Sequence, residues 1–220
     1  MNARLLLSAF VLLLSLTVVA QQKNPVQDEQ FATVFGNQQA DLGGYVSLGF
    51  GNTIINDNNA LYGQFRLAAR LGHSFSIGIS GAGFSDWLYG LNHDRPDLSP
   101  EGYFIEGGYR GILLEPVFAP DFPVHLSFPV LIGAGGVALS EETEEYDWDD
   151  FEYETGHFVL ASDAFLVIEP GIELEFNLSR YVRMGAGISY RFTNAIDIEG
   201  SREYLLNGLS GSVNLKLGVF

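Results

Sequence analysis

The sequence predicts an all-β chain: eight antiparallel strands joined up-and-down into a closed barrel, with the apolar strand faces turned outward. Three observations predict it. From Gly43 onward, apolar and polar residues alternate with a period of two, the spacing of strand faces. The alternating stretches are separated by connections that mostly switch between long and short, as successive antiparallel strands require at opposite ends. Charge is scarce and unevenly placed: 17% of residues are charged, against about 25% in a soluble domain, and 11 Lys+Arg face 27 Asp+Glu for a net −16.

Residues 1–20 stand apart. A basic start at Arg4, an apolar run from Leu5 to Val19 and small residues at Val18 and Ala20 describe a cleaved secretory signal. Residues 21–42 are polar and Gln-rich and read as a flexible leader. The barrel is expected over 43–220. Its first strand carries Val46, Leu48 and Phe50, and its second Leu61, Phe65, Leu67, Ala69 and Leu71. Phe75, Ile77 and Ile79 mark the third. Three less regular strands follow at 103–114, 124–138 and 157–176; the last is long enough to bend at Pro170 or to project beyond the others. Around Gly107–Gly111 the phase is open, with a bulge as one solution. Val182 to Phe192 and Leu209 to Val219 complete the eight. The connections between them are 52–59, 72–74, 85–102, 115–123, 139–156, 177–180 and 193–207.

The charges decide which face is inside. A soluble barrel surface normally carries many lysines, and this chain has two, Lys23 and Lys216. The polar strand faces hold Arg66, Arg70, Arg110, Arg183, Arg191 and Lys216 against Glu106, Asp163, Glu169, Glu173 and Glu175. Matched signs between Gly and Ser fit a narrow interior, where an unpaired charge is expensive. The expected lumenal network is therefore Arg66, Arg70, Glu106, Arg110, Glu169, Glu173, Glu175, Arg183 and Arg191. The apolar faces then meet lipid, with aromatics such as Tyr45, Phe50, Tyr103, Tyr181 and Phe220 near strand ends forming girdles.

Three segments, Arg66–Phe84, Glu106–Gly111 and His125–Val137, resemble small outer-membrane β-barrel proteins of Gram-negative bacteria, a family largely without assigned activity. The resemblance implies an outer-membrane location, contact with membrane lipid and lipopolysaccharide, and insertion by machinery that reads the last strand and its terminal aromatic. One departure stands out. Leu215, Leu217 and Val219 share the lipid-facing phase, and Phe220 falls one step out of it.

The most distinctive segment is Glu141–Glu154. It holds Glu141, Glu142, Glu144, Glu145, Asp147, Asp149, Asp150, Glu152 and Glu154, with Tyr146, Trp148, Phe151 and Tyr153 between them. It is expected in a long external connection, as a solvated loop, a weak collector of divalent cations, or a contact surface for an extracellular protein or glycan. The acidic balance argues against nucleic acid as a partner, and no cofactor is expected. A lumen of eight strands is filled by side chains, so a small ion channel is the lesser alternative. The other is a lipid-modifying enzyme. The chain has four histidines, His73, His93, His125 and His157, but spacing places no Ser–His–acid set and no catalytic residue is assigned.

Overall fold

The computed structural model describes residues 42–86, 103–147, 152–198 and 203–220, and these contain no helix. The signal and almost all of the leader lie outside them. Nine strands follow in order: β1 (Leu42–Ile55), β2 (Asn58–Leu71), β3 (Phe75–Ser85), β4 (Tyr103–Phe118), β5 (Val124–Ser127), β6 (Val130–Asp147), β7 (Glu152–Asn177), β8 (Val182–Thr193) and β9 (Gly208–Val219). All pairings are antiparallel, and β9 returns to β1 to close the ring. β5 and β6 occupy one position between β4 and β7. Their register is continuous: Val117 partners Ser127 and Leu114 partners Val130. Pro129 divides them because it brings no N–H to the ladder. The barrel therefore has the expected eight walls.

Partners traced around the ring run Val46, Leu67, Ile79, Ile112, Ile132, Ile168 and Phe192. Extending the β8–β9 and β9–β1 registers by a few positions returns the path to β1 at Asn56, ten residues beyond Val46. Eight strands with that stagger tilt by about 40° and enclose a backbone cylinder of about 8 Å radius. Only side chains fit inside such a tube.

The two faces are inverted relative to a soluble protein. On β1, Val46 (52%), Leu48 (61%) and Phe50 (72%) are exposed, while Ser47 (3%) is buried. The same holds around the ring: Leu67, Ile79, Ile112, Ile132, Ile168 and Val213 face out, and Arg66, Ser80, Glu173 and Asn214 face in. Apolar outside and polar inside is the arrangement of an outer-membrane-type barrel.

Several boundaries differ from the sequence expectation. The connection at 52–59 shrinks to Asn56 and Asp57, both at positive φ (48° and 65°), as a two-residue hairpin turn requires. β4 runs through Pro116 to Phe118, so the connection at 115–123 shortens. No bulge interrupts Gly107–Gly111, where β4 keeps one register against β3 and β6. The long connection at 139–156 is mostly ladder: β6 and β7 stay paired to Asp147↔Glu152, with one register shift at Leu139/Ser140. β7 projects together with β6 rather than alone: its pairing with β8 ends at Val167↔Thr193, while its pairing with β6 continues to Glu152. Tyr45 and Phe220, expected in the girdles, stack on each other instead, 6.0 Å apart, with Tyr45 buried.

If the exposed apolar face meets lipid, Ile79→Arg should lower unfolding free energy by roughly 2–4 kcal/mol in urea titrations in vesicles. A neutral effect would mean that this face meets water.

Candidate functional site

The candidate site is the lumen with the mouth above it. Alternation on β7 points Glu169, Glu173 and Glu175 inward, and the same parity on β2, β8 and β9 points in Arg66, Arg70, Arg183, Arg191 and Lys216. β4 adds Glu115. The centre of the lower half is Lys216. Its Nζ donates to Glu115 Oε1 and Glu175 Oε1, each at 2.6 Å, and lies 3.5 Å from Glu173 Oε1. Tyr45 OH donates to the second oxygen of Glu115. Arg66 Nη1 donates to Glu173 Oε2 at 2.7 Å, and its Nη2 to Gln64 Oε1 at 3.1 Å. Gln64 continues the network to Asn214 Oδ1 at 2.7 Å. Glycines clear space for these groups: a Cβ at Gly185 would meet Glu173 Oε1 at 2.1 Å, and one at Gly49 would meet Asn214 Oδ1 at 1.9 Å.

The lower exit is closed by Phe220, with the Arg183 guanidinium 3.9 Å above its ring. Arg183 Nη1 lies 3.6 Å from Glu175 Oε2. His125 stands at the same end, with Nε2 2.9 Å from Glu175 Oε2 and Nδ1 3.2 Å from the Phe122 carbonyl.

The upper half is different. Glu169 accepts from Tyr62, Tyr109 and Ser189. Above it, Tyr62, Phe84, Tyr109, Phe165 and Val167 form an apolar cluster with Ile196, Ile198, Leu205 and Leu206. Those last four belong to the β8–β9 connection, which folds into the mouth. It is tied there by Asn56 N to the Leu205 carbonyl at 2.8 Å and by Asp197 N to Asp163 Oδ2 at 2.7 Å. Arg191, fully buried, donates Nε to the Leu206 carbonyl at 2.7 Å and lies 4.9 Å from the Phe84 ring centre. The space left between Tyr62, Arg66, Glu169 and Glu173 is about 30 Å³, room for one or two waters.

This closed, charge-filled lumen inside a lipid-type exterior can be set beside known proteins. No family model matches the chain, and no curated protein does. Among solved structures, Ail, the attachment invasion locus protein of Yersinia pestis, solved with a heparin analogue, is similar at 13% identity and a TM-score of 0.44, covering 80% of this chain and 97% of Ail. Neisserial surface protein A is similar at 10% identity and a TM-score of 0.46, covering 81% and 96%. The N-terminal barrel domain of Pseudomonas aeruginosa OprF is similar at 9% and 0.39, covering 80% and 98%. At these values the fold rests on this chain's own ladder.

Of the expected network, the structure brings Arg66, Arg70, Glu169, Glu173, Glu175, Arg183 and Arg191 into the lumen. Arg110 is a correction. Tyr109, Leu113 and Glu115 hold the inward phase of β4, so Arg110 faces out and is exposed. Glu106 shares that outward phase; it is half-buried and accepts from Ser140 Oγ at 2.8 Å. Glu115 lies outside the expected network because the expected strand stops at 114, whereas β4 continues to Phe118. Of the acidic segment, Glu141 is half-buried, and the backbone places Glu142–Asp147 and Glu152–Glu154 in a hairpin rather than a loop. Trp148, Asp149, Asp150 and Phe151 lie outside the described residues.

Just beyond β3, Asp86 is buried, exchanging bonds with Ile105: its N donates to the carbonyl at 3.1 Å, and its Oδ1 accepts from N at 2.6 Å. Burial pushes its carboxyl up to about 6. A raised carboxyl favours the protonated folded state, so its contribution falls as pH rises from about 4 to about 6. Asp86→Asn should flatten that dependence and raise stability at pH 7 by about 1–3 kcal/mol, read from urea midpoints across pH. Lys216→Met, which removes the cation shared by Glu115, Glu173 and Glu175, should cost about 3–5 kcal/mol, and adding Glu115→Gln should recover part of it. Equal midpoints for wild type and Lys216→Met would remove the network from the stability account.

Proposed function

We propose that this chain is an integral outer-membrane protein with a non-conducting lumen, whose work is done at the long-loop end as a surface contact. The observation that carries the reading is the contrast between the two parts. The lumen is occupied from Phe220 to the described parts of the β8–β9 connection, and the space between Tyr62, Arg66, Glu169 and Glu173 is about 30 Å³. The β6–β7 hairpin, by contrast, carries the acidic segment past every other strand. Its acids select basic patches on a partner and speed their encounter. Tyr146, Trp148, Phe151 and Tyr153 supply the residue type that anchors interfaces. The termini of the strand ring lie at the short-turn end, so the hairpin end faces the exterior and β9, with Val219 in the lipid-facing phase, is the strand offered to the assembly machinery.

The purified barrel in planar bilayers should show no steady conductance. An epitope inserted between Asp149 and Asp150 should be recognised by antibody on intact cells, and the barrel should shift in gel mobility on heating. Stable single-channel steps would favour a channel, and an epitope reached only after lysis would reverse the orientation.

A further inference from the structure

One cation of the wall is not in the lumen. Arg110 is exposed on the lipid-facing phase of β4, two residues from Ile112 in the apolar belt, and it has no hydrogen-bond or ion-pair partner among the described residues. Every other arginine or lysine described within the strands, Arg66, Arg70, Arg183, Arg191 and Lys216, is buried inside. A bare guanidinium beside hydrocarbon is costly, and its long stem lets it reach for an anion at the headgroup level.

The wall beside it is hollow. An open cavity of about 380 Å³ lies over Gly63, Phe65, Gly83, Gly108 and Arg110. It adjoins a second, of about 580 Å³, bounded by Phe50 and Leu61 and sharing Gly63 and Gly83. The hollow comes from missing side chains: a Cβ at Gly63 would meet nothing within 4 Å, and one at Gly83 would meet only the Gly107 carbonyl at 3.8 Å. Its floor is backbone and its flanks are Phe50, Leu61 and Phe65, the surface an acyl chain prefers. The far rim toward the mouth is polar, made by Ser85 and Glu106, which are register partners.

We propose that this recess docks a phosphorylated glycolipid of the outer leaflet. One acyl chain lies along the glycine floor, a sugar phosphate takes the Arg110 fork in the two-point geometry that guanidinium offers phosphate, and sugar hydroxyls meet Ser85 and Glu106. The carboxylate at the rim is what separates this ligand from a simple phospholipid: it repels a second anion and accepts from a hydroxyl. The site rests on the outer-membrane orientation proposed above.

The test uses the full-length mature barrel in detergent micelles and native mass spectrometry. The probes are purified bisphosphorylated lipid A, its monophosphorylated form and phosphatidylglycerol. Wild type should retain monophosphorylated lipid A best, because one phosphate takes Arg110 and the Glu106 carboxylate disfavours a second. Arg110→Ser should weaken it about tenfold or more, Arg110→Lys less, and Gly63→Leu, which fills the recess without striking the wall, should weaken it as well. Heat-dependent gel mobility verifies that each variant is folded. Unchanged affinity in both Arg110→Ser and Gly63→Leu would overturn the site, and so would equal binding of phosphatidylglycerol. Failure of the wild type to float with vesicles would instead overturn the membrane reading.

Discussion

The ammonium of Lys216 among Glu115, Glu173 and Glu175 is the contact on which the lower barrel depends. It follows from the size of the tube. A cylinder of about 8 Å radius has no room for bulk water, so each inward charge must be met inside the tube, by an opposite charge or by hydroxyls, carbonyls and aromatic rings. Lys216 comes from β9, the strand that closes the ring, and its partners come from β4 and β7 across the lumen. The closing strand is thus fastened twice, by its ladders to β1 and β8 and by a cross-lumen ion cluster. Glycines at 49 and 185 belong to the same solution, because the carboxylate and amide that fill the centre occupy the volume their side chains would take.

The upper lumen solves the same packing problem with different chemistry. There the filler is a returning connection whose Ile196, Ile198, Leu205 and Leu206 join aromatic residues of the wall. Arg191 stands at the boundary. Its guanidinium faces carbonyls of the connection and of β1 on one side and aromatic rings on the other. It joins a polar lower half to an apolar upper half without a second carboxylate. Among the described residues both halves of the tube are thus packed, the lower by ion pairs and the upper by apolar side chains.

The sequence carried the walls well and the joints poorly. Eight strands, their direction and the inverted faces follow from a period of two, and that period survives wherever both faces are under selection by environment. It misled where glycine blurred it. Gly107, Gly108 and Gly111 offer no apolar or polar mark, so the phase of β4 slipped by one residue and Arg110 was sent inward. Placing a connection at 115–123 concealed Glu115; the odd-numbered run Tyr109, Leu113, Glu115, Val117 is the available signal. The inward fold of 194–198 and 203–207 had no periodic mark at all. Its isoleucines and leucines resemble strand residues, and only the volume left above Glu169 explains where they go.

The net −16 also looks different once the walls are placed. The inward strand charges nearly cancel, with Arg66, Arg70, Arg183, Arg191 and Lys216 against Glu115, Glu169, Glu173 and Glu175. The excess acid therefore lies outside the network that holds the barrel together, and its densest stretch is built into a ladder. The register sets Glu145 against Glu154 and Asp147 against Glu152. Like charges at partnered positions weaken a strand pair. In the surface contact proposed above, a basic partner would relieve that repulsion, so binding and the pairing of this ladder would act in the same direction.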